Sequence, residues 1–314
     1  GVNFFDTARV YQGGNNERMV GAVLKKRRRD IVLSSKTLSY AKEAALSDLD
    51  TSLRELQTDY LDIWYLHDRN APGQVSEGLL EAQRIAKRQG KIRFAGISLH
   101  AAHAEIIPLA IRLNHFDVML VSYNYTMDPS IEGLLASAKE AGLGIVAMKA
   151  LAGGVRPTVP AYKAPLNMLN RLKRPGAALA AVKWALKNRN VDAVLPGIVD
   201  MEQLDEDLSA MASPFTDADA RVLAARLEEI RPYYCRMCGR CRGACPKGLP
   251  VEDTLRFLMY AEGYGQFALG REHYQGLPAE ARQARCSDCG KCAVRCPNGV
   301  DVARRMMRAQ EVLG

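Results

Sequence analysis

Leu61-Asp62-Ile63-Trp64-Tyr65-Leu66-His67 is the stretch from which the fold is read. Apart from Asp62 it is apolar on both faces until it reaches His67, the pattern of a strand covered on both sides in a parallel sheet. Amphipathic stretches flank it, Lys42 to Leu56 before and Glu77 to Arg88 after, so the segment is one strand in a chain of βα units. The same alternation continues outward in both directions. Further strands are expected at Val2 to Thr7, Ile31 to Lys36, Ile92 to Leu99, Phe116 to Tyr123, Gly144 to Ala150 and Ala193 to Gly197. Further helices are expected at Asn16 to Arg28, Ala101 to Arg112, Ile131 to Ala141 and Gly176 to Asn188. Seven such strands suit either a closed (β/α)8 barrel or an open doubly wound sheet. A barrel needs an eighth strand, which would come first with its helix. That agrees with a chain that opens, without Met, on the strand-like Gly1-Val2-Asn3-Phe4-Phe5-Asp6. Residues upstream, and any targeting signal among them, are expected to be absent from this sequence.

From Ser213 a polar amphipathic stretch leads to Arg231-Pro232, and all eight cysteines lie beyond it. They form two copies of one run: Cys235, Cys238, Cys241 and Cys245 with Pro246, then Cys286, Cys289, Cys292 and Cys296 with Pro297. In Cys-x2-Cys-x2-Cys-x3-Cys-Pro, three closely spaced thiolates can wrap one corner of a [4Fe-4S] cubane, and the fourth is commonly sent to a second cluster. Two clusters are therefore expected. One would take Cys235, Cys238, Cys241 and Cys296; the other would take Cys286, Cys289, Cys292 and Cys245. Zinc, the alternative for paired Cys-x2-Cys, calls for four tetrahedral ligands and no triple run closed by Cys-Pro. A helical stretch from Val251 to Met259 separates the motifs, a layout that resembles the helical ferredoxin domains of electron-transfer subunits in respiratory complexes. The expected division is 1–230 for the barrel and 231–314 for a small α-helical ferredoxin-like domain.

A chain of 314 residues with 48% hydrophobic content has room for one large and one small globular domain and is not disordered. No run of eighteen apolar residues occurs, so no membrane span is expected. The formal charge of +8 would ordinarily suggest a polyanionic partner. Two oxidised clusters at about −2 each would bring it to roughly +4, and nucleic acid is not needed as a partner. Arg236, Arg240, Arg242 and Arg295 would offset cluster charge or meet an acidic redox partner. The basic run Lys25-Lys26-Arg27-Arg28-Arg29 reads as a solvated helix end. The irregular stretch from Leu151 to Pro175 reads as a lid or binding loop, with a surface excursion as the alternative.

Asp6 and Tyr11, then Lys36, then His67 stand at or just after the carboxyl ends of three successive strands, which in a parallel barrel share one rim. A Lys among apolar strand residues needs a partner, and Asp6 can supply it. A cation beside a tyrosine favours the phenolate, so Tyr11 can protonate a developing alkoxide near neutral pH while His67 orients a carbonyl. A structural ion pair with a core Tyr and a satisfied His is the other reading of the same residues. Tyr40, Tyr123 and Tyr125 suggest a partly aromatic pocket, though core packing explains them as well.

Phe5-Asp6-Thr7-Ala8 with Tyr11, then Ser35-Lys36-Thr37, then Tyr65-Leu66-His67 resemble the aldo-keto reductases over the first two thirds of the chain. The cysteine region resembles the branch of that family with a ferredoxin-like tail. The resemblance implies a (β/α)8 barrel and a nicotinamide cofactor lying across its rim without a Gly-x-Gly-x-x-Gly loop. It implies Tyr11 as general acid, Lys36 as its modifier, Asp6 as the partner of Lys36 and His67 as the carbonyl-orienting group. Around the cofactor it implies Ser98 at the carboxamide, Met148 near the ring-stacking position, and Gly153 and Gly154 beside the pyrophosphate. Packing and chain turning are the alternative for those last three. Gly197, Gln203, Glu206 and Asp207 would surround the adenosine. Leu99 and Leu120 stand where the family has Asn and Gln. Gly197, Ile198 and Gln203 stand where it often has Lys, Ser and Arg for the 2'-phosphate, so NADPH and NADH both stay open.

The first functional expectation is an iron-sulfur oxidoreductase of aldo-keto reductase type, acting on a small carbonyl or alcohol substrate. Hydride carries two electrons and each cluster one, so a bound flavin, a redox partner protein or purely structural clusters must reconcile them. The second is an electron-transfer or assembly subunit whose barrel no longer binds nicotinamide. The third is a redox sensor whose tail disorders on cluster loss. Labile clusters without disulfides suit a reducing cytoplasm.

Overall fold

In the computed structural model, which describes residues 2–152, 176–198, 200–263 and 266–314, the apolar runs become strands a little shorter than the runs themselves. These are β1 (Phe4–Asp6), β2 (Val32–Thr37), β3 (Leu61–Leu66), β4 (Ile92–Leu99), β5 (Val118–Ser122), β6 (Gly144–Met148) and β7 (Ala193–Leu195). They pair in unbroken sequence order, every pair parallel. That order decides between the two architectures left open by periodicity. A doubly wound sheet reverses its strand order at a switch point, whereas this sheet runs on and curls. The curl shows in the interior: Phe4 of β1 and Val32 of β2 share one apolar cluster with Ala193 and Leu195 of β7. Alternate residues supply it, Ile63 and Tyr65 from β3, Val118 and Leu120 from β5, Val146 and Met148 from β6, as the two-residue period of a strand requires. The seven strands thus form a nearly closed (β/α) barrel.

β4 adds no large side chain to this cluster, and the reason is local. Gly96 pairs with Tyr65, and a Cβ built on Gly96 would lie 2.3 Å from Cδ1 of the Tyr65 ring. The bare backbone is what makes room for that ring.

The helices between strands, α1 (Asn15–Leu24), α2 (Lys42–Leu56), α3 (Glu77–Arg88), α4 (His103–Leu113) and α5 (Ser130–Glu140), lie close to their expected bounds. The basic run is exposed as expected at Lys25, Lys26, Arg27 and Arg29 but differs in its backbone and at Arg28. It leaves the α-helix for a 3-10 turn, Lys25–Asp30, broken at Arg27 (φ −115°). Within it Arg28 is not solvated: it pairs with Asp62 at 2.8 Å and lies 3.9 Å over the Tyr60 ring. Asp62, the one polar residue inside the β3 run, explains the inward turn, because a buried carboxylate needs a cation.

The chain divides into two compact units. The first, Gly1–Ser122 with Pro129–Met148 and Arg189–Leu195, contains all seven strands. The second comprises Tyr123–Asp128, Lys149–Asn188 and Pro196–Gly314. It holds α6 (Ala177–Leu186), α7 (Met201–Ala212), α8 (Asp217–Ile230), α9 (Val251–Glu262), α10 (Phe267–Gln275), α11 (Ala279–Gln283) and α12 (Val302–Leu313). There α9, α10 and α12 bury Phe257, Leu258, Tyr274 and Leu313 together, and Glu262 is pinned by Arg305 and Arg308 at 2.7 and 2.8 Å. From residue 153 to 175 the expected long loop lies outside the described residues. Among the described residues no helix is long and apolar enough to cross a membrane.

Gly96→Ala is expected to destabilise the protein by about 1–3 kcal/mol, since its Cβ would lie 2.3 Å from the ring of fully buried Tyr65. The readout is the midpoint of urea denaturation followed by circular dichroism; an unchanged midpoint would show that the ring yields freely.

Candidate functional site

Because β1, β2 and β3 are parallel and in register, Asp6 opposite Ser34 and Lys36 opposite Tyr65, their carboxyl ends reach the same rim. Lys36 is only 1% exposed. An ammonium so deeply buried needs all three of its donors satisfied. One forms the ion pair with Asp6, one donates to the Thr7 carbonyl at 2.6 Å, and one lies 3.5 Å from the Tyr11 hydroxyl. Burial alone would pull Lys36 down, but Asp6 and Tyr11 outweigh it and hold the ammonium above its ordinary value. Asp6 is fixed in turn by the Ser34 hydroxyl, which donates to it at 2.5 Å.

Tyr11 opens a 3-10 turn, Tyr11–Gly14, in which Gln12 and Gly13 are left-handed (φ 52° and 60°). The turn is tethered from both sides. The Arg9 amide donates to the Lys36 carbonyl at 3.1 Å, and buried Glu17 accepts from Ser35 at 2.6 Å while pairing with Arg9. The Tyr11 ring meets His67 edge-on, centroids 5.9 Å apart at 81°, and remains 39% exposed. His67 is buried, with Nδ1 lacking a hydrogen-bond partner. Burial first, then the positive charge of Lys36, then His100 hold it well below the ordinary histidine value, so at neutral pH its imidazole is uncharged. Asp6, Tyr11, Lys36 and His67 are thus brought together as expected from the sequence.

Four residues that the sequence reading does not single out join them. Asp68 follows His67 with a left-handed backbone (φ 57°), and its carboxylate meets His100 Nδ1 at 2.6 Å. The His100 ring lies 6.2 Å from that of His67. Arg69, fully buried, donates its amide to the Ser98 carbonyl at 2.8 Å. Asn70 Oδ1 accepts the amides of His100 and Ala101, both at 2.8 Å, so the turns after β3 and β4 are stitched together. A polar run directly after a strand that ends on His was the available signal in the sequence.

The expected cofactor residues fare differently. Ser98 is buried and its Oγ has no hydrogen-bond partner, an orphan that fits a carboxamide contact. Leu99 and Leu120, buried at 0% and 1%, can offer no polar contact. Met148 packs in the barrel interior with Tyr65 and Leu120. Gly197, Gln203, Glu206 and Asp207 belong to the second unit, where Gln203 donates to Asp200 through both its amide and its side chain, each at 2.8 Å, in the cap of α7. Gly153 and Gly154 lie outside the described residues. Of the three tyrosines, Tyr40 is exposed. Tyr123 and Tyr125 are core residues of the second unit, Tyr123 lying 4.8 Å from the Trp184 ring.

All eight cysteines are free and partly buried. Cys235 has Cys241, Cys238 and Cys296 as its electrostatic neighbours, while Cys286 has Cys245, Cys289 and Cys292. Each group of four therefore takes three thiols from one motif and the fourth from the other. The two motifs also turn alike: Gly239 and Gly290, each after the second cysteine, are left-handed, as are Gly248 and Gly299, each two residues after the proline. Six of the thiols pack against an apolar cluster of Leu249, Val251, Leu255, Val294, Val300 and Met306. The Met237 amide donates to Cys235 Sγ at 3.4 Å and the Asn298 side-chain amide to Cys238 Sγ at 3.3 Å. Burial pushes the Cys235 thiol up to about 12, and Cys241 and Cys286 up to about 11. Thiols so disposed give up their protons only to a strong cationic centre. Among the described residues no three acidic, His or Cys side chains close on a single ion. A cubane, whose four thiolates bind four different irons, asks for no such closure.

Residues 1–228 match the Aldo/keto reductase family and residues 234–300 a 4Fe-4S dicluster domain. L-galactose dehydrogenase of Arabidopsis thaliana is 28% identical over 236 residues, 67% of this chain and 74% of that protein. The NADH-specific methylglyoxal reductase of Escherichia coli is 25% identical over 280 residues, 73% of this chain and 85% of that protein. Among solved structures, an aldo-keto reductase of Klebsiella pneumoniae in complex with NADPH superposes with a TM-score of 0.58 at 25% identity, covering 72% of this chain and 81% of its own.

The state of His67 has a consequence for stability. Its folded value lies below the unfolded one, so the unfolded chain binds the extra proton first as pH falls. Stability is expected to be fully present above about pH 6.5 and to decline below it, and His67→Gln should flatten that decline. Urea midpoints for both proteins between pH 7.5 and 5.5 provide the check; parallel curves would exclude His67 as the source.

Proposed function

The chain belongs to the aldo/keto reductase family and is an oxidoreductase, and on that premise we propose that Tyr11, Lys36, Asp6 and His67 carry the interconversion of a carbonyl and an alcohol. The observation that carries this reading is the convergence of the buried Lys36 ammonium on Asp6, the Thr7 carbonyl and the Tyr11 hydroxyl, with His67 edge-on to the same ring. Nicotinamide, when bound, supplies or accepts the hydride. Tyr11 gives its hydroxyl proton to the oxygen that becomes the alcohol, and the adjacent Lys36 cation stabilises the phenolate left behind. Asp6 keeps Lys36 charged and aimed. Neutral His67 donates one N–H to the carbonyl oxygen, fixing it within reach of Tyr11. Ser98 takes the carboxamide. Gly197 and Gln203 put no cation where a 2'-phosphate would want one, so NADH stands beside NADPH as the cofactor.

In the same reading residues 1–230 form the reductase barrel and residues 231–314 the cluster domain. Cys235, Cys238, Cys241 and Cys296 hold one [4Fe-4S] cluster; Cys286, Cys289, Cys292 and Cys245 hold the other. The clusters offer one-electron storage, the apolar wall around them and the two N–H···S contacts set their potential, and the thiols suit a reducing compartment such as the cytoplasm. Leu99 and Leu120 favour a second reading, an electron-transfer subunit without nicotinamide chemistry.

An anaerobic titration of the cluster-replete protein with NADH and with NADPH separates the two. Bleaching of the iron-sulfur absorbance by either supports the enzyme and an internal relay; no bleaching and no calorimetric binding supports the subunit. For the enzyme, Tyr11→Phe should lower kcat by about 10²–10⁴-fold while dinucleotide binding is kept, and unchanged turnover would remove Tyr11 from the chemistry. For the clusters, the double variant Cys235→Ser with Cys296→Ser should retain one cluster by iron analysis and electron paramagnetic resonance, whereas Cys286→Ser with Cys296→Ser should retain none. The reverse result would assign each motif its own cluster.

A further inference from the structure

Arg69 is 0% exposed. It is the side chain type that stays charged in any protein interior, and such residues are almost never fully buried without a partner. One of its nitrogens, Nη2, donates to the Ser39 carbonyl at 2.6 Å and, more weakly, to that of Thr37 at 3.4 Å. Nε and Nη1 are buried with no hydrogen-bond partner. The neighbouring carboxylate is occupied: Asp68 accepts from Asn70 at 2.5 Å and meets His100 at 2.6 Å. Burial pulls the guanidinium below its ordinary value, with Tyr40 and Asp68 only partly opposing it. A buried cation without a directly paired carboxylate costs several kcal/mol, and two neutral carbonyls, the Tyr40 side chain and the already engaged Asp68 nearby compensate it only in part. The fold keeps this cation two residues beyond His67. Among the described residues Tyr40 covers it, with the ring 4.3 Å from the guanidinium carbon and itself 58% exposed.

We propose that Arg69, beneath the Tyr40 ring, is the recognition site for an anionic group, a carboxylate or a phosphate, carried by the carbonyl substrate. Tyr40 swings aside, the anion accepts from the two unpartnered nitrogens, and the charge-assisted bonds hold the substrate so that its carbonyl faces Tyr11 and His67. This rests on the reductase reading given above.

The test uses the cluster-replete full chain and two matched pairs of aldehydes: succinic semialdehyde against butanal for the carboxylate, and glyceraldehyde 3-phosphate against glyceraldehyde for the phosphate. At least one anionic member should exceed its neutral counterpart tenfold or more in kcat/KM, through KM, and the member that does so identifies the anion. Arg69→Met should bring that ratio close to one. Tyr40→Ala, which removes the exposed ring over the guanidinium, should raise it. Binding is read independently of turnover by saturation-transfer NMR with 4-hydroxybutanoate and glycerol 3-phosphate against butanol and glycerol. If no aldehyde of either kind is reduced, the reductase reading fails, and preferential binding of an anion that Arg69→Met abolishes still upholds the site. No preference for either anion in turnover or binding, or a preference that survives Arg69→Met, overturns it; Arg69 is then a structural tie for the Thr37–Ser39 segment.

Discussion

Unbroken parallel pairing of β1 to β7 forces every strand to deliver its carboxyl end to the same rim. Asp6, Lys36, His67 and Ser98 come from four successive strands or the residue just past them, and no loop has to fold back to bring them near each other. The same constraint makes the rim electrostatically demanding. Lys36 and Arg69 are both buried there, and the fold answers them unequally, with a full ion pair for the first and two carbonyls beneath the Tyr40 ring for the second. A cation that is completely satisfied positions its neighbours; one that is not satisfied is left to attract something from outside.

What could be read from the amino acids depended on whether the information was periodic or contextual. The β3 run, the helix bounds of α2 and α3 and the strand-end placement of Lys36 and His67 are periodic facts, and the structure reproduces them. The thiols that stand near one another, Cys235 with Cys238, Cys241 and Cys296 and Cys286 with Cys289, Cys292 and Cys245, are the groups that the common exchange of the fourth cysteine in this motif suggests. Arg28 was not legible: its partner Asp62 is thirty-odd positions away, and only the folded sheet puts them together. Arg69 and His100 escaped notice for the same reason, since a polar residue after a strand reads as loop until its burial is known. Tyr123 and Tyr125 admitted two readings, pocket or core, and their burial selects the core.

The nicotinamide contacts lie between these cases. Ser98 keeps an orphaned hydroxyl where a carboxamide would satisfy it, while the leucines beside it, Leu99 and Leu120, are sealed into the interior. A ring held by one hydroxyl and apolar walls is less firmly oriented than one held by three polar groups. If nicotinamide binds as proposed, contacts elsewhere along the dinucleotide would have to fix the reactive face.

The exchange of the fourth thiol between the two motifs reaches beyond ligand assignment. Cys296 stands with Cys235 and Cys245 with Cys286, so the chain between them is closed twice, once from each end. In a chain without disulfides these two closures act as mutually dependent cross-links. With the ligand exchange proposed above, whichever iron core formed first would draw the distant motif toward the other set of thiols. Under that exchange, assembly of the tail would be cooperative, and loss of one core would leave its neighbour with a thiolate on an untethered arm.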